Sequence, residues 1–312
     1  MYSNIYTNAH PGLILFILDK SIAMDDIYGE SSCIEAATRV INTLINDLIM
    51  DNYDSIMRGG GKMVYLAIIE HGGCDNEENI NVLCNGWLRD YEFKREEIVE
   101  KKCSDEEERI IEFNLFRWAE PHAKGEGNVA GAFEMACEYL EGWSQRGGDN
   151  LNWSPVPLVI NLISGQNTGL LLDDNYRMER ITKRIKSMVF PDGNPLVFNM
   201  VINTSNKMTV FPDQCPEDTV EACLYNLSSI IPKTLSNFYN HGYAEAGRFN
   251  YEGLRNGMDL LWTKKKLTGK ERLYVSNLSV ADLIAFGRSL LDFFNMEWCG
   301  MCVGEPNPLL FD

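Results

Sequence analysis

Residues 13–24 read LILFILDKSIAM. Six consecutive apolar residues, Leu13 to Leu18, run directly into Asp19, Lys20 and Ser21. An apolar run with no alternation predicts a strand covered on both faces, as in a parallel sheet. Polar groups just past the carboxyl end of such a strand lie where open α/β sheets bind ligands. The plainer reading is a turn, or the cap of the next helix. The rest of the chain decides between them.

Working outward, ESSCIEAATRVINTLINDLI predicts a helix, with Ile34, Ala37, Ile41, Leu44, Ile45 and Leu48 at helical spacing. Ser32 and Glu35 have the spacing of a capping box. KMVYLAIIEHG (62–72) reads as a second buried strand, and the alternating NINVLCNGWLRD (79–90) as a more exposed neighbour. Residues 91–112, dense in Glu and Lys, read as a solvated connection. GNVAGAFEMACEYLEGW (127–143) is helical, and PVPLVINLISG (155–165) is an apolar strand ending at Ser164-Gly165. A basic amphipathic helix over 173–189 and a strand at PLVFNMVIN (195–203) follow. Residues 216–239 read as helical but broken at Pro232. RLYVSNL (272–278) resembles a short strand, and SVADLIAFGRSLLDFF (279–294) a capped helix.

The alternation predicts an α/β fold with a doubly wound, mostly parallel sheet, helices on both faces and right-handed crossovers. We expect one α/β domain over 1–215. Residues 216–312 form a mixed C-terminal extension on the same core, not an independent domain.

The chain has 312 residues, 45% hydrophobic, with a net charge of −17. That acidity argues against nucleic acid, whose phosphates need clustered Lys and Arg, and against an anionic membrane surface. The N-terminal apolar run is too short and lacks the basic flank of a secretory signal, and no segment is long enough to span a bilayer. Nine cysteines, an odd and scattered set, read as reduced core residues. These features predict a cytoplasmic protein.

Three strand or helix ends carry candidate chemistry: Asp19–Ser21, Gly125–Asn128 and Ser164–Gly165. Oxygen donors from several loops at one sheet edge are what Mg²⁺ takes. Here the chain resembles the von Willebrand factor A domains. DKSIAM is similar to their DTSGSM, GEGNVAGAF (125–133) to their GGTN-like stretch, and NLISG (161–165) to their LITDG. LYNLSSIIPK (224–233) is similar to a stretch of the stand-alone bacterial branch that includes the tellurite-resistance type.

The resemblance implies a metal-ion-dependent adhesion site that binds Mg²⁺ and is completed by a partner's acidic residue. Carried over by position, Asp19 and Ser21 match the first two ligands. Ala23 replaces the second Ser, Gly127 stands at the Thr position with Asn128 beside it, and Ser164 replaces an Asp. The implied metal set is Asp19, Ser21, Asn128 and Ser164, an incomplete site with Asp25, Asp26 or Glu126 as gap-fillers. Such a set holds no cofactor, or Mg²⁺ only weakly. The alternatives are hydrogen bonding between Asp19 and Ser21 across the loop edges, and an N-cap role for Asn128.

Other motifs are weaker. GGGK (59–62) precedes a strand and lacks the following Ser or Thr of a phosphate-binding loop. Cys299 and Cys302 form a lone Cys-x-x-Cys pair. Of four histidines, only His71 falls near the ligand edge.

Three functions follow. The first is a non-catalytic protein-interaction module, which the resemblance associates with bacterial stress or phage-conflict signalling. The second is a Mg²⁺-dependent adhesion protein with a variant working site. The third is a hydrolase or phosphotransferase using Asp19, disfavoured because no second Asp stands at the Asp-x-Asp spacing.

Overall fold

The computed structural model describes residues 2, 4–7, 9–51, 64–74, 76–88, 96–103, 110–146, 154–166, 175–204, 207–239 and 267–295. The opening apolar run forms β1 (Gly12–Asp19), with all eight residues buried. It lies between two parallel neighbours, β2 (Val64–His71) and β6 (Leu158–Ser164). Helix α1 (Cys33–Asp51) connects toward β2, and α2 (Val129–Ser144) precedes β6. Strand β3 (Ile80–Trp87) adds antiparallel to β2, with a bulge opposite Ile68 and Ile69.

On the other side, α3 (Asn175–Ser187) leads to β7 (Leu196–Ile202), parallel to β6. Beyond it come β8 (Thr209–Val210), α4 (Thr219–Leu227), the short α5 (Lys233–Asn237), β9 (Tyr274–Ser276) and α6 (Val280–Asn295). The seven-stranded order is β8-β9-β7-β6-β1-β2-β3. Only the two outermost pairings are antiparallel.

Register-matched residues of parallel strands share a face, so the layers can be assigned. Leu13 aligns with Tyr65, whose ring packs on Trp143 of α2, 6.0 Å between centroids. Ile17 aligns with Asn161 and Asn199, and the Asn199 amide donates to Leu224 O at the end of α4. That face carries α2, α3 and α4. Leu18, Leu162 and Met200 form a row on the opposite face, where Gly287 of α6 is pressed against Leu44 of α1 and Met200. The sheet is therefore doubly wound.

Local chemistry explains the elements. Ser32 and Glu35 cap α1 reciprocally: Ser32 N–H donates to the Glu35 carboxylate at 2.8 Å, and Glu35 N–H donates to Ser32 Oγ. Asn42 and Asn46, one turn apart on α1, clamp the chain at 116–119. Asn42 Oδ1 accepts from Trp118 N and Ala119 N at 2.7 and 2.9 Å, and Asn46 exchanges two bonds with the Phe116 peptide groups. Arg288 of α6 pairs with Asp47 of α1, and Arg184 of α3 makes a two-pronged contact at 2.7 Å with Glu141 of α2.

The charged stretch read as a connection is instead a hairpin. β4 (Glu96–Cys103) and β5 (Ile110–Arg117) pair antiparallel with an unbroken register from Glu96↔Arg117 to Cys103↔Ile110. Its Glu and Lys content hid the β-branched and aromatic residues Ile98, Val99, Ile110, Ile111 and Phe113, which favour strands. The glycine run at 59–61 and the Cys299–Cys302 pair lie outside the described residues.

Candidate functional site

The sheet-top centre begins with register. Asp19 and His71 are direct partners at the carboxyl ends of β1 and β2, so their side chains share a face. Both are fully buried, and His71 Nδ1 lies 3.7 Å from Asp19 Oδ1, beyond hydrogen-bond reach. Among the described residues neither imidazole nitrogen has a hydrogen-bond partner. Burial pushes the His71 pKa down, while the Asp19 carboxylate opposes that shift, so we assign the neutral imidazole.

Asp19 ties two strand ends together. Its Oδ1 accepts from Ser21 N–H at 2.9 Å, and its Oδ2 accepts from Ser164 N–H at 3.2 Å across the β1–β6 boundary. Ser164 Oγ accepts in turn from Gln166 N–H. Ser21 and Ser164 are buried, so the structure brings Asp19, Ser21, Ser164 and His71 into one cluster with almost no surface.

A short roof closes over it. Lys20 N–H donates to His71 O, Lys124 N–H to Lys20 O and Ile22 N–H to Gly125 O, stitching the β1, β2 and pre-α2 segments. Gly72, at φ +82°, lies so near the Lys20–Ser21 peptide that a Cβ would collide with Ser21 N. The roof continues as a single 3-10 turn (Ile22–Asp25), whose Ile22 side chain points outward, 59% exposed. Ile27, just beyond, is 83% exposed.

Asn128 does not join the cluster. Its Oδ1 caps α2 by accepting from Gly131 N–H at 3.0 Å, and its Nδ2 donates to Glu78 O. Asp26 accepts from Asn203 Nδ2 at 3.1 Å, and Ala23 brings no oxygen. Among the described residues no group of three or more His, Cys, Asp or Glu side chains converges as a metal-holding set. Mg²⁺ demands about six hard oxygens in octahedral array. This cluster supplies one carboxylate already bonded to two backbone N–H groups, two buried hydroxyls and an imidazole. The donor set does not fit Mg²⁺.

The sequence marked His71 only by its place at the edge. Its pairing with Asp19 is a product of parallel register over 52 positions, which no local spacing reveals.

No family model matches the chain, and no curated protein does. Solved structures of similar fold include the SpRpn10 VWA domain, at 13% identity and a TM-score of 0.41, covering 70% of this chain and 83% of that one. A von Willebrand factor type A protein from Catenulispora acidiphila is 12% identical with a TM-score of 0.35, covering 65% of this chain and 41% of the other. The pilus adhesin SpaC from Lactobacillus rhamnosus GG, in its open conformation, is 8% identical with a TM-score of 0.46. The match covers 93% of this chain but 31% of the adhesin's.

Proposed function

We propose that the chain is a non-catalytic protein-interaction module that docks its partner on the loops at the carboxyl ends of β1, β2 and β6, without a divalent cation. One observation carries this reading. The segment that seals Asp19 from solvent presents two isoleucines, Ile22 and Ile27, at 59% and 83% exposure on its outer side. Large exposed apolar side chains beside a ligand-binding edge suit a protein partner. The buried carboxylate serves as the strut beneath them, holding the loop through Ser21 N–H and Ser164 N–H.

A cation-dependent adhesion module is the second reading: Asp19, Ser21 and Ser164 converge as the resemblance implies, but with a donor set that does not fit Mg²⁺. A hydrolase would need Asp19 to reach a substrate, and its full burial weighs against that. We place the protein in the cytoplasm on the strength of its N-terminal pattern and cysteine usage, and in a bacterial stress or phage-conflict context on the strength of the sequence resemblance. No helix among the described residues is long and apolar enough to cross a membrane.

The test is affinity capture in EDTA with wild type and with the double variant Ile22→Ser/Ile27→Ser. A partner retained by wild type in EDTA and lost by the variant is the expected result. A partner set unchanged by the substitutions removes the docking surface. Capture that requires Mg²⁺ and fails with Asp19→Ala establishes the second reading instead.

A further inference from the structure

At the opposite end of the sheet, about 20 Å from Asp19 along β1, three aromatic rings from three elements form a box. Tyr65 of β2 and Trp87 at the end of β3 meet edge to face, 5.4 Å between centroids at 84°. Trp143 of α2 closes the third side, 6.0 Å from Tyr65 and 6.1 Å from Trp87. The three rings touch one another at interplanar angles of 84°, 48° and 58°. A cation caps the cluster: the Arg146 guanidinium carbon lies 4.8, 5.3 and 4.6 Å from the Tyr65, Trp87 and Trp143 centroids. All three distances fall within the roughly 6 Å range of cation–π attraction.

An open cavity of about 330 Å³ adjoins the box, floored by Leu13 and lined by Glu138, Tyr139 and Gly142. Its size is that of a small-ligand or side-chain pocket. Glu138, exposed on the cavity wall, adds a carboxylate to that lining. Gly142 leaves the mouth clear, since a Cβ there would meet nothing within 4 Å. Arg146 itself is exposed and stands just beyond α2, its N–H donating to Trp143 O at 3.2 Å. It occupies the box as a tethered ligand does.

We propose that this box is an arginine-binding site for a basic segment of a partner polypeptide, held closed by Arg146 until the partner's guanidinium displaces it. The chain's own occupant shows which cation fits: a planar, weakly hydrated guanidinium that stacks on aromatic faces, rather than a compact ammonium. The net charge of −17 favours the approach of basic polypeptides. The site is separate from the sheet-top loops and does not depend on their role.

Arg146→Ala removes the internal competitor, so the probe should bind more tightly by the reciprocal of the fraction of time the box stands open, about tenfold for a box open roughly a tenth of the time. The probes are acetyl-arginine amide, and peptides of identical sequence carrying one central Arg or one central Lys, followed by ligand-observed NMR. Arg146→Ala should bind both arginine probes, the peptide more tightly than the free amide, and wild type should bind each more weakly. The Lys peptide should bind at least tenfold less well than its Arg twin. Gly142→Gln, whose Cβ has open space around it and whose added length is meant to obstruct the mouth, and Trp87→Leu should each abolish binding in the Arg146→Ala background, with near-ultraviolet circular dichroism confirming the fold. Equal binding of Arg and Lys peptides would reduce the effect to bulk charge and overturn the proposal. So would no binding to Arg146→Ala, or binding that survives Gly142→Gln. If the free amide binds as tightly as the peptide, the site serves a small guanidinium compound and the polypeptide partner is wrong.

Discussion

Asp19 is a carboxylate used as a fastener. Each oxygen holds a backbone N–H from a different loop, and charge-assisted bonds of this kind contribute about 1.5–3 kcal/mol each. Asp19→Ala should therefore lower unfolding free energy by about 3 kcal/mol, and by the same amount with Mg²⁺ or with EDTA, in urea titrations. A wild-type protein markedly stabilised by Mg²⁺ would contradict that assignment. Gly72 is the second critical residue, because a Cβ at its left-handed φ meets Ser21 N. Gly72→Ala should cost at least about 2 kcal/mol from conformation and displacement together. His71 sets a pH dependence. Its pKa is lowered in the fold by burial, whereas in the unfolded chain it returns to about 6.5. The unfolded state then binds the extra proton, so stability is full above that pH and declines as pH falls below it. Thermal midpoints followed from about pH 8 to about pH 5 should show this decline in wild type and a flatter profile in His71→Gln.

At the scale of elements, side-chain amides do much of the joining. Asn42 and Asn46 give α1 a polar seam that receives the segment after β5 as a strand edge would. Asn42→Ala strips three hydrogen bonds, leaves the Trp118 and Ala119 N–H groups searching for water, and should cost about 2 kcal/mol. Asn128→Ala removes the α2 cap and should cost about 1 kcal/mol, a smaller effect that isothermal denaturation resolves. These contrasts show what a sequence displays. The buried strands declared themselves as apolar runs, unbroken from Leu13 to Leu18 in β1 and interrupted only by Asn161 in β6 and Asn199 in β7, and the Ser32–Glu35 box and the Asn128 cap as local spacings. The β4–β5 hairpin did not, because charged residues interleave with its strand formers and dilute the pattern. The aromatic box was equally hidden. Tyr65, Trp87, Trp143 and Arg146 each look like ordinary residues of their own elements, and only the sheet order brings them together.

Across the whole molecule, one late strand governs how the sheet is completed. β9 lies between β7 and β8, pairing Tyr274 with Asn199 and Ser276 with Thr209. α6, which follows it, packs on α1 through Gly287 and Leu44 and through the Arg288–Asp47 pair. A fragment ending at residue 215 would expose the β7 edge and the outer side of α1 together. We expect it to aggregate or to lack a cooperative calorimetric transition, while the full chain gives a single one.

The same placement gives synthesis a timetable. At roughly 5–20 residues per second, the stretch from Asn199 to Tyr274 takes the ribosome on the order of 4–15 seconds to make. Throughout that interval the outer backbone groups of β7 at Asn199 and Val201 lack their partners, Leu273 and Asn277. An unpaired, apolar strand is a template for any neighbouring nascent chain. Cells making this protein quickly should therefore need chaperone cover during that window, and slowing translation after residue 202 should lengthen the exposure and lower the soluble yield.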